Sequence, residues 1–166
     1  MLQAVESDSS LSKRLNYYVR QGLLLNPRRG IYAKPDYNPE ELACLLYTPC
    51  YLSLEYVLQR AGVVFQYDSR LTAVGYLSRR VEVDGREYVY RRIKGTILAN
   101  PQGIETTARG TNIATPERAF LDVLYLNKEY HFDNLRPLRR PKVDALLPIY
   151  QCRRLSERVD ILFNRK

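Results

Sequence analysis

The chain has 166 residues and a formal charge of +8, from 26 Lys and Arg against 18 Asp and Glu. That length can bury one sound core, or a small module plus a second domain of about 120 residues. The basic balance favours a polyanionic partner, because each neutralised phosphate releases condensed counterions. No stretch approaches the ~20 apolar residues of a membrane span. Residues 1–10 lack both the basic start and the apolar run of a secretory leader, so a cytoplasmic protein with no membrane partner is expected.

Cys44, Cys50 and Cys152 form no CxxC pair, and His131 is the single histidine. Reduced thiols, no metal site and no cofactor follow from that inventory.

Residues 1–7 could form a short helix, with little room for more, whereas 9–22 carry a clear helical pattern. Leu11, Leu15, Val19 and Gly22 fall on one side; Lys13, Asn16, Tyr17 and Arg20 recur at i, i+3, i+4 and i+7 on the other. Ser9 or Ser10 suits the helix start and Gly22 its left-handed end. Leu23–Asn26, a Pro27-Arg28-Arg29-Gly30 turn and Ile31–Lys34 then read as a hairpin with two arginines at its tip. A polar-faced helix followed at once by a basic-tipped hairpin is the sequence form of a winged helix-turn-helix, with the helix in the major groove and the wing on the adjacent backbone or minor groove. The expected first helix of such a module is short or absent here.

Asn38-Pro39-Glu40-Glu41 has the cap, first-turn proline and acidic residue of a second helix, striped by Leu42, Leu45 and Leu46. Ser53 is a candidate cap for a third, with Leu54, Val57, Leu58 and Ala61 inward and Gly62 at its end. From Val63 to about Thr115 the period shifts towards two through VVFQY, LTAVGYL, RRVEV and EYVYRRI, which predicts a mostly antiparallel sheet. Asp84-Gly85 predicts a tight type I′ turn within it. Thr115-Pro116-Glu117 opens another helix, with Ala119, Phe120, Val123 and Leu124 on its apolar face. Residues 138–163 hold two more helical segments, parted near 150–153. The fold class expected is α+β: a winged helix-turn-helix over 1–36, shortened at its start, then an α/β domain over 37–166 with packed helices.

Enzyme chemistry finds no foothold. A metal nuclease of the Asp…Glu-x-Lys type lacks its Glu-x-Lys, and a nucleotidyltransferase lacks its Asp-x-Asp or Asp-x-Glu pair. His131, flanked by Tyr130 and Phe132, reads as a half-buried structural histidine rather than a general base. Glu117 sits where a helix N-terminus favours negative charge, and Asp122, four residues after Arg118, reads as a surface ion-pair partner. No phosphate-cradling glycine motif occurs around Gly103 or Gly110. Tyr88 and Tyr90, beside Arg91 and Arg92, read as cover on a sheet face in preference to base-stacking platforms. No catalytic residue is assigned.

Three segments in order, LNYYVRQGLLLNPRRGIYAKP, YLSLEYVLQRAGVV and IATPERAFLDVLYL, resemble the AbiEi-type antitoxins of type IV, abortive-infection toxin–antitoxin systems, from about Leu11 to Leu126. The resemblance implies a winged helix-turn-helix that binds its own operon's promoter and a C-terminal domain that counteracts a nucleotidyltransferase-like toxin without a stable complex. Carried over by position, the DNA-facing residues are Lys13, Asn16, Tyr17, Arg20, Arg28 and Arg29; Ala114–Asp122 is a signature with no assigned role. The expectation is therefore a non-enzymatic antitoxin and autorepressor whose partner is double-stranded operator DNA. The alternatives are a protein-interaction module that engages a toxin or regulator without binding DNA, and a catalytic antitoxin for which the sequence offers no site.

Overall fold

A computed structural model describes residues 3–4 and 9–164, a mixed α+β arrangement with seven helices and two sheets among them. The expectation about the chain's start falls largely on residues outside that range.

The first sheet is small. Strand β1 (Gln3–Ala4) lies antiparallel on β3 (Ile31–Ala33), which also pairs with β2 (Leu25–Arg28). Helix α1 (Ser9–Arg20) precedes that hairpin and stops as its glycine requires. Gly22 takes a positive φ of 71°, its N–H donates to Val19 and that of Leu23 to Tyr18, the paired bonds that close a helix on a left-handed residue.

Helix α2 (Pro39–Leu46) opens on Asn38, whose side chain accepts from the N–H of Glu40 at 2.9 Å. A turn through the cis Thr48–Pro49 bond leads into β4 (Cys50–Leu52), all three residues buried. Helix α3 (Glu55–Arg60) follows. Ser53 does not cap it. Leu54 holds the N-cap position at φ 62°, and Thr72 of the neighbouring strand supplies the missing acceptor, taking the N–H of Tyr56 at 3.0 Å while its own hydroxyl donates to the Ser53 carbonyl at 2.7 Å.

The VVFQY run, expected in the sheet, forms no strand: Val63 and Val64 fold into the core behind α3, while Phe65 and Tyr67 lie exposed. The Schellman-type closure at Gly62, with the Val63 N–H on Leu58, turns the chain back over the helix before alternation can find a partner strand. The sheet resumes with β5 (Leu71–Gly75), β6 (Arg79–Val83) and β7 (Arg86–Arg92). Asp84 and Gly85 join the last two with φ of 50° and 71°, the double left-handed geometry of a type I′ turn. A short helix α4 (Gly95–Leu98) precedes β8 (Ile104–Thr106) and β9 (Asn112–Ala114).

The second sheet runs β6-β7-β5-β4-β9-β8. It is mixed: β6/β7, β5/β4 and β9/β8 are antiparallel, β7/β5 and β4/β9 parallel. Helix α5 (Pro116–Leu126) starts on Thr115, whose hydroxyl oxygen accepts from Arg118 N–H, with Pro116 in its first turn. Helix α6 (Arg140–Leu146), a 3-10 turn over Leu147–Tyr150 and α7 (Arg153–Asn164) are the last of the described elements; Gln151, left-handed at φ 47°, makes the expected break.

Side chains alternate across this sheet, so it carries two cores. One face, with Leu52, Leu71, Ala73, Tyr88 and Tyr90, packs against Leu42, Ala43 and Leu46 of α2 and against Ile31 and Ala33 of the hairpin. The other, with Tyr51 and Val74, meets α3, α5, α6 and α7. Tyr88 and Tyr90 are buried cover as expected, and the Tyr90 hydroxyl donates to the Ala43 carbonyl at 2.7 Å.

Candidate functional site

Two places hold the residues singled out by sequence: the exposed side of α1 with its hairpin, and the buried centre of the signature in α5.

Lys13, Asn16, Tyr17 and Arg20 are all solvent-exposed on one side of α1. Tyr32, buried in β3, donates to Asn16 Oδ1 at 3.1 Å, fixing that amide's orientation and leaving its NH2 as a donor. Tyr17 is 58% exposed and meets the Tyr18 ring edge-on at 5.8 Å. The opposite side is covered less than its pattern suggests: Leu15 and Val19 are half-buried and Leu11 is 39% exposed.

The hairpin separates its two arginines. Arg29 occupies the tight turn with Gly30 (φ 83°) and is exposed. Arg28 belongs to β2, and its guanidinium stacks 4.9 Å from the Tyr47 ring centroid, half-buried. Between residues 9 and 35 there are six Lys or Arg and no Asp or Glu, so this stretch contributes a charge of +6 to the chain's +8.

The signature helix is different in kind. Residues Glu117 to Leu124 are all buried, and Arg118 and Asp122 are each 0% exposed. Asp122 is therefore no surface ion-pair partner, which corrects the sequence reading. Its carboxylate accepts from Ser53 Oγ at 2.8 Å, Tyr51 OH at 3.0 Å and Tyr150 OH at 2.7 Å, with Arg118 Nε 3.7 Å away. Arg118 donates to the carbonyls of Gln102 (2.8 Å) and Ile97 (2.7 Å) and to Tyr51 OH, and lies over the Tyr51 and Tyr150 rings. Strand β4, the α4–β8 connection, α5 and the 3-10 turn thus converge on one charged pair.

Burial pushes both tyrosine hydroxyls well above their ordinary acidity range, so Tyr51 and Tyr150 remain protonated donors. Burial likewise raises Asp122, against the pull of Arg118 and the three hydroxyls. For Arg118 burial opposes the charge, but Tyr150, Tyr51 and Asp122 outweigh it and hold the guanidinium protonated. A carboxylate so enclosed and so fully hydrogen-bonded is a structural lock: no substrate atom can reach it without opening the core.

Tyr51 and Tyr150 had no role in the sequence reading, and Ser53 had only that of a helix cap. Tyr51 and Ser53 sit two apart and so share a face, but nothing local connects them to position 122. Glu117 is in the first turn as expected and buried, with its Oε1 accepting the Arg139 N–H at 3.3 Å. His131 proves 87% exposed and lies 3.7 Å from Asp133, in place of the expected half-buried position. Asp133 spends its other oxygen on the Phe65 N–H at 2.8 Å.

No protein-family model and no curated protein matches this chain. Among the described residues no cluster of three His, Cys, Asp or Glu could hold a metal, and no helix is long and apolar enough to cross a membrane.

Proposed function

We propose that the protein is a DNA-binding antitoxin of the abortive-infection, type IV class, which represses its own operon through residues 1–36 as a winged module. On this reading α1 enters the major groove with Lys13, Asn16, Tyr17 and Arg20, and Arg29 meets the adjacent phosphates or minor groove. Arg28 contributes through its stacking on Tyr47, which sets the hairpin's seat on α2. Residues 37–166 counteract a nucleotidyltransferase-like toxin without chemistry of their own, and the Arg118–Asp122 lock serves that domain's stability.

The observation that carries this reading is the coincidence, within 27 residues, of four exposed polar side chains on one helical side, an exposed arginine at a tight hairpin turn, and six basic residues without one acid. A basic surface on a helix joined to a hairpin is what a duplex, with its closely spaced phosphates, selects.

The test is fluorescence anisotropy with a duplex from immediately upstream of the protein's own gene, against a scrambled duplex of equal length, at several salt concentrations. Tighter binding to the upstream duplex, with salt-dependent binding to both, supports the reading. Absence of binding to either at low salt overturns it and leaves the protein-interaction module, which the exposed Phe65 and Tyr67 of the α3–β5 loop favour, 67% and 82% exposed respectively.

A further inference from the structure

Cys44 and Cys50 stand apart from everything assigned so far. Cys44 lies on α2 and is half-buried; Cys50 begins the central strand β4 and is buried. The turn between them brings the Cys50 sulfur against the last stretch of the helix, 3.6 Å from the Ala43 carbonyl and 4.0 Å from that of Cys44 itself. The Cys44 sulfur faces the start of β9, 3.7 Å from the Asn112 carbonyl.

We propose that Cys44 and Cys50 are an oxidisable thiol pair, which a hydroperoxide converts to an intrachain disulfide fastening α2 to β4.

The roles divide by environment. Hydrogen bonding with the Cys50 thiol lowers the pKa of Cys44, and the same contact, together with burial, raises that of Cys50. Cys44 therefore carries the thiolate character and the partial exposure that a peroxide needs, and Cys50 is the protected resolving thiol. In the first step the Cys44 thiolate attacks one peroxide oxygen; the O–O bond breaks, giving a sulfenic acid and hydroxide. In the second the Cys50 sulfur attacks the Cys44 sulfur; the S–S bond forms, the S–O bond breaks, and the leaving hydroxyl takes the Cys50 proton as water. The hydroxide collects the proton that Cys44 had released. Two thiols are oxidised and one hydrogen peroxide becomes two waters.

The site has a structural consequence. Ala43 and Leu46 of α2 pack in the same cluster as Ile31 and Ala33 of the hairpin and Cys50 of the sheet. A covalent bond here would staple the seam on which the N-terminal hairpin rests.

No Lys or Arg lies between Pro35 and Gln59, so trypsin leaves both cysteines in one peptide ending at Arg60. The experiment treats the folded full chain with hydrogen peroxide, blocks remaining thiols with an alkylating agent and maps tryptic peptides by mass spectrometry. The expected result is a Cys44–Cys50 peptide lighter by two hydrogens, unalkylated, restored by dithiothreitol, with Cys152 still alkylated. Cys50→Ser should instead trap Cys44 as a sulfenic acid that a cyclic diketone captures. Both thiols alkylated after peroxide, Cys44 held as sulfenic acid in the wild type, or Cys152 oxidised ahead of the pair would each overturn the proposal. The wild-type map decides even if Cys50→Ser fails to fold.

Discussion

Replacing Asp122 with alanine tests the signature helix directly. The side chain is 0% exposed and serves four partners: the hydroxyls of Ser53, Tyr51 and Tyr150 and the Arg118 guanidinium. Removing one partner of a buried ion pair costs about 3–5 kcal/mol, because the other charge stays behind uncompensated. Each hydroxyl left without an acceptor adds about 1–3 kcal/mol where nothing replaces it. These costs do not sum. Arg118 keeps the Gln102 and Ile97 carbonyls, Tyr51 OH still accepts from Arg118, and a water can enter the vacated space. The net expectation is a loss of about 4 kcal/mol, a large share of the roughly 5–15 kcal/mol that holds a domain together.

Urea unfolding followed by circular dichroism measures it. With an m-value of about 2 kcal/mol/M the midpoint should fall by about 2 M. Tyr150→Phe removes one donor while keeping the ring over Arg118, and should cost only about 1–1.5 kcal/mol. A loss below about 1 kcal/mol for Asp122→Ala, the value of a surface ion pair, would refute the buried lock, as would equal losses for the two variants.

Phe120, fully buried against the rings of Phe132 and Phe163, should cost about 3–5 kcal/mol when replaced by alanine, read from the same unfolding curves. Burial lifts Asp122 above its ordinary value, so the folded chain keeps that proton to higher pH than the unfolded chain. The stability this carboxyl contributes is therefore full below about pH 3.9 and is lost as pH rises through the folded value. The stability of the wild type relative to Asp122→Asn should decline as pH rises from about 3.5 towards neutrality, and a relative gain would contradict the burial argument. On the DNA-binding reading, Arg29→Ala should weaken binding to all duplexes alike and make log K against log salt shallower by about 0.9, one phosphate contact. Arg20→Ala should cost about 1–3 kcal/mol on the operator and little on random DNA, as loss of a base-edge contact does. Both are checked by the anisotropy titrations, and identical behaviour of the two variants would remove the distinction between helix and wing.

Local chemistry was legible in the sequence because its causes are local. The left-handed ends at Gly22 and Gly62, the Asn38 and Thr115 caps, and the Asp84-Gly85 turn each depend on residues within four positions of one another, and all appear where the sequence places them. The exposed row of Lys13, Asn16, Tyr17 and Arg20 follows from helical spacing alone. Tertiary structure decided what spacing leaves open. Arg118 and Asp122 share a side of α5 that the apolar residues do not occupy, and a helix by itself gives that side no reason to be dry. Strand β4, too short at three residues to show a period, runs through the middle of the sheet and brings Tyr51 and Ser53 to that side. The 3-10 turn closes it with Tyr150. Thr72 takes over the capping of α3, and Ser53 is thereby released to Asp122. Arg28 and Arg29 are neighbours in sequence, but only contact with Tyr47, 18 residues beyond Arg29, separates a stacked arginine from an exposed one. Charge and periodicity set which side chains lie together on an element; what covers them comes from strands and turns distant in the chain, whose arrival is a property of the packed whole.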